Sequence, residues 1–210
     1  MLYSINDPEF IAMVKKGVPI ETLEKRMRPP LGLDGIGAEA SAHDDWWNYS
    51  SVGFLGRDES LLNVIHEDEE AVARLGVTHD QIADRIEYFI IQYGVEFSKI
   101  MRDIGIMPLK ERIAAHKAFN RYIVVDPFHL ASDNSDNITG GRGIQECPWL
   151  DGVGDYGDKN LRFDNLRLGE TLSFPGLIVH LIREHHFYEG KQSPYRVDPT
   201  SAMRVLEIKN

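Results

Sequence analysis

The chain has 210 residues, enough for one large domain or two small ones around a buried core. Its 42% hydrophobic and 27% charged residues are those of an ordinary folded protein, while a net charge of -10 and a pI near 5.2 exclude a surface built mainly for nucleic acid or an anionic membrane. A single cysteine excludes an internal disulfide, no apolar run approaches the roughly 18 residues of a spanning helix, and the opening MLYSINDPEF is acidic where a leader would be basic, so a cytoplasmic location is expected.

Asn6-Asp7-Pro8-Glu9 predicts a helix start: a capping side chain, a proline in the first turn and an acid near the positive end of the dipole. Phe10, Ile11, Met13 and Val14 supply its apolar positions and Gly17 its stop. A second helix is expected over Ile20 to Met27, ended by Pro29-Pro30. From Leu31 to Arg57 the chain is Gly-rich around His43-Asp44-Asp45-Trp46-Trp47. Such a loop either drapes over the core or forms a surface for a protein partner.

Asp58 or Ser60 then caps a helix to Leu75, with Gly76 at its end. Thr78-His79-Asp80-Gln81 is a capping box opening a helix through Ile82, Ile86, Phe89 and Ile90 to about Tyr93. Further helices are expected over Val95 to Ile104 and from Pro108 to His116 or Phe119. The character switches at Tyr122-Ile123-Val124-Val125, a strand by its β-branched content, and Ile144 to Trp149 reads as another. Leu161-Arg162-Phe163 and Thr171-Leu172-Ser173-Phe174 form a hairpin about Gly169.

The densest apolar helix signal comes next, Ser173 to Gly190, with Ser173 read as its cap, Pro175 in its first turn and Gly190 at its stop. Leu177, Ile178, Leu181, Ile182 and His185 share one face, with His180 and Glu184 beside it. Asp198-Pro199 starts a last short helix. The expected architecture is α+β: a mainly helical region over 1–118, and an α+β region over 119–210 with a small antiparallel sheet and a ββα-like unit carrying the His-rich helix.

Gly152-Val153-Gly154-Asp155-Tyr156-Gly157 matches GxGxxG, but no helix comes after it to supply a dipole for phosphate, so it reads as a turn. Asp133 to Asn137 opens like a calcium loop, yet Ile138 and Ile144 stand where glycine and a bidentate glutamate are required. The paired acids Asp44-Asp45 and the run Glu67 to Glu70 read as solvated faces.

The remaining constellation is Cys147, His180, His185 and His186, a metal-ligand set of zinc type. His180-x4-His185 has the gap of helix-borne zinc histidines, with the fourth donor coming from His186, Asp151, His129 or water. On an ideal helix His180 and His185 stand about 140° apart, so a shared ion requires a distorted helix end. The bland alternative is a packed His185, a His180–Glu184 pair and a Cys147 that merely fills space. The functional expectation is a cytoplasmic interaction or regulatory protein whose C-terminal module binds a structural zinc ion. The alternative is a small hydrolase, metal-assisted or with a Cys147/His180 pair, centred on the same residues.

Overall fold

The computed structural model describes residues 3–29, 53–104, 123–126, 146–152 and 160–209. The Trp46-Trp47 loop, the helix expected from Pro108, His129, the run Asp133 to Asn137 and the GxGxxG run beyond Gly152 lie outside the described residues. The order of elements is α1 (Pro8–Lys15), α2 (Ile20–Met27), α3 (Leu61–Leu75), α4 (His79–Ile104), β1 (Ile123–Asp126), β2 (Asn160–Asn165), β3 (Glu170–Pro175), α5 (Ile178–His185) and α6 (Pro199–Val205). The fold is α+β, helices first and an antiparallel sheet with further helices after. No helix among the described residues is long and apolar enough to cross a membrane.

Local chemistry accounts for most boundaries. The Asp7 carboxylate accepts from the Glu9 N–H ahead of Pro8, and the Asp198 carboxylate accepts from the Ser201 N–H ahead of Pro199. Thr78 and Gln81 close the capping box in both directions, at 3.1 and 2.8 Å. Gly76 ends α3 in the left-handed conformation, φ 69°. One expected break is missing: α4 runs unbroken through Gly94, because a glycine costs a helix only about 1 kcal/mol and does not remove a hydrogen bond.

The sheet has the order β1-β2-β3, both pairs antiparallel, with Phe163 opposite Val125 and Leu172. Phe163 and Phe174 stack at 5.2 Å beneath it, and one hydrophobic cluster joins them to Phe10, Leu23, Ile65, Ile86, Leu181, Ile182 and Leu206. Two corrections bear on the site. Pro175 ends strand β3 rather than opening a helix, so α5 starts at Ile178. The expected strand over Ile144 to Trp149 is, in its described part, a turn: the Leu150 N–H donates to the Cys147 carbonyl and the Cys147 N–H to the Gly152 carbonyl. Pro148 has no N–H for a ladder, and Leu150 is left-handed, φ 63°.

Helix α5 ends at His185, because His186 adopts a left-handed conformation, φ 54°. Gly190 therefore does not stop it. That residue instead lets two segments cross: its N–H donates to the Phe54 carbonyl, and an added Cβ would stand 3.0 Å from Leu55 Cα and overlap the Glu59 carboxylate. The same carboxylate accepts from the Gly56 and Gln192 N–H groups, so it cannot move away freely. Gly190→Ala is expected to lower unfolding stability by about 1–3 kcal/mol in a denaturant titration.

Candidate metal centre

The site is assembled from a short turn and one helix. The turn over residues 146–152 is held from two sides: Trp149 Nε1–H donates to the Val14 carbonyl at the end of α1, and Arg26 of α2 donates to the Pro148 carbonyl at 2.9 Å. Helix α5 is fixed to α4 by Arg183, which reaches Asp84 at 2.8 Å and Glu87 at 2.9 Å. Its apolar face, Ile178, Leu181 and Ile182, is buried as the periodicity requires, and His185 lies on that face with 4% exposure.

Between them, Cys147, Asp151, His180 and His185 place one ligand atom each within 4.8 Å of one another. His185 Nε2 is 3.3 Å from Cys147 Sγ and 3.0 Å from Asp151 Oδ2, while His180 Nε2 is 3.0 Å from Asp151 Oδ1. The His185 ring stacks on Trp149, centroids 3.8 Å apart and planes at 8°. Asp151 spans the wheel angle between the two histidines, taking one imidazole on each carboxylate oxygen. His180 pairs with Asp151 rather than with Glu184, whose carboxylate faces Lys16 at 3.5 Å.

His186 is not part of this group. One residue past the helix, in the left-handed conformation, it meets Glu69 of α3 through Nδ1 at 2.5 Å and stacks on His79, centroids 4.0 Å apart. Glu69 and its neighbour Asp68 are thus not solvated acids. Asp68 is 2% exposed and paired with Arg196.

Electrostatics fix the metal-free protonation states. Burial drives the Cys147 thiol far above its ordinary range, the Asp151 carboxylate beside it adds to the effect, and the thiol stays protonated. Burial alone would raise Asp151, yet its hydrogen bonds with Cys147 and His180 and the charges of both histidines hold it at about 2. Burial lowers His185 to about 4 against the attraction of Asp151, so its ring is neutral. Two buried donors, a persistent carboxylate and a second imidazole bring four ligand atoms within 4.8 Å of one another. These residues could hold a metal ion.

No family model matches the chain, and no curated protein or solved structure matches it significantly.

The depressed His185 pKa means that its contribution to stability is complete above about 6.5 and is lost as pH falls towards about 4. Relative to His185→Phe, which keeps the stack on Trp149, the metal-free protein is expected to lose up to about 3 kcal/mol across that window. Buried Glu189, raised to about 8 by desolvation, acts in the opposite sense. Its contribution is complete below about 4.5 and fades as pH rises towards 8, so Glu189→Gln is expected to flatten the alkaline side of the same thermal-unfolding profile.

Proposed function

We propose that this chain is a zinc-stabilised protein in which Cys147, Asp151, His180 and His185 hold a structural ion, and that its role is one of interaction or regulation in the cytoplasm. The convergence of four different donor side chains from two separate segments carries the reading. Four protein ligands fill a tetrahedral sphere and leave no position for substrate, which is the hallmark of a structural rather than a catalytic zinc site. The ion would draw Cys147 into its thiolate form and take the Nε2 lone pair of a ring that is already neutral. It would also tie a turn anchored on α1 and α2 to the helix anchored on α4, so its binding energy becomes folding energy.

A metal-assisted hydrolase on the same residues is the second reading, and one observation favours it: the Asp151 side chain is 39% exposed, the donor that water could displace. The Cys147/His180 hydrolase has less support. Cys147 is fully buried, its thiol is pushed up rather than activated, and its imidazole neighbour is His185.

Metal analysis of the purified chain tests the proposal. Cys147→Ser and His180→Ala are each expected to lower the zinc content by one equivalent per chain. Chelation should lower Tm by roughly 10 °C, from ~4 kcal/mol of linkage at a thousandfold saturation. Zinc content that is unchanged in both variants would refute the site, and loss of zinc without loss of Tm would favour the catalytic reading.

A further inference from the structure

We propose that Glu69, His79 and His186 form a second divalent-metal site, independent of the Cys147 group and open to an exogenous ligand. Three elements contribute: Glu69 from α3, His79 from the first turn of α4, and His186 from the residue that ends α5. Their ligand atoms lie within 4.8 Å of one another.

His79 is the decisive group. It is 7% exposed, and its Nδ1 meets the buried Tyr188 hydroxyl at 2.9 Å. Its other nitrogen, Nε2, is buried and makes no aligned hydrogen bond, although it stands 3.3 Å from Glu69 Oε2. One ring nitrogen is fixed by a hydrogen bond while the other faces the Glu69 carboxylate at 3.3 Å, an arrangement by which proteins orient an imidazole towards a metal shared with a carboxylate. His186 Nδ1 lies against the other oxygen of the same carboxylate, and the two rings stack at 11°, so both nitrogens converge on Glu69.

Two imidazoles and one carboxylate suit zinc, cobalt or ferrous iron, and they leave positions that water or an oxygen ligand completes. The His186 side chain is 33% exposed, so solvent reaches the group. The donor set contains no sulfur, which sets it apart from the Cys147 group both chemically and spectroscopically.

Cobalt(II) titration of the metal-depleted full chain, followed by absorption, tests the proposal. In Cys147→Ser the thiolate-to-cobalt charge-transfer band is expected to vanish while the weak ligand-field bands of a sulfur-free site persist. Added to Cys147→Ser, Glu69→Gln and His79→Gln should each remove those bands and weaken that binding step by 100-fold or more, and as single variants they should retain the charge-transfer band of the other site. Circular dichroism checks the fold of each, and His79→Gln decides the matter alone if Glu69→Gln does not fold. Sulfur-free cobalt binding that is absent, or unchanged by the folded variants, overturns the proposal. Absence of the charge-transfer band from the unsubstituted chain, with the sulfur-free bands present, would count against the Cys147 site and leave this one standing.

Discussion

The left-handed turn at His186 is the constraint on which both groups depend. A residue with a side chain in that conformation costs about 1 kcal/mol or more, and histidine is among the few side chains found there with any frequency. The turn is kept because the next two residues are buried: Phe187 and Tyr188 are fully enclosed, each contributing on the order of 2 kcal/mol of apolar burial, and the Phe187 N–H returns to the Leu181 carbonyl. Two consecutive histidines consequently face two different sets of partners. His185 meets Trp149, Cys147 and Asp151, while His186 meets His79 and Glu69.

The turn carrying Cys147 and Asp151 depends on the N-terminal helices in a way that its own sequence does not reveal. Trp149 both caps α1, through its indole N–H, and supplies the flat surface under His185. A change in α1 or α2 would therefore be felt at Cys147 and Asp151. The same logic holds at the second group, where Tyr188 serves the core with its ring and His79 with its hydroxyl.

Local chemistry is what the sequence makes legible. Asp7 and Asp198 with their following prolines, the capping box at Thr78, Gly76, and the apolar face from Leu177 to His185 each act over a few residues, and each stands where the pattern places it. Asp151 is one of four candidate fourth donors in the sequence, beside His186, His129 and water, and only the tertiary fold brings it to both histidines. Glu69 and His79 carry no such signal. The contact of Glu69 with His186 spans more than a hundred residues, and at close range Glu69 looks like one acid in a solvated run while His79 is simply a residue inside a capping box. Pro175 and Gly190 mislead for a related reason: each has a helix-boundary meaning locally, and each is used instead for strand termination and for a close crossing of two segments.

Centrally, a thiolate, a carboxylate and two imidazoles are proposed to share one ion between the turn and α5. X-ray absorption at the zinc edge, recorded on Glu69→Gln so that only the Cys147 group contributes, tests this most directly. The expected result is one sulfur at about 2.3 Å with three nitrogen or oxygen neighbours at about 2.0–2.1 Å. A shell of nitrogen and oxygen alone, or a sample that retains no zinc, would contradict it.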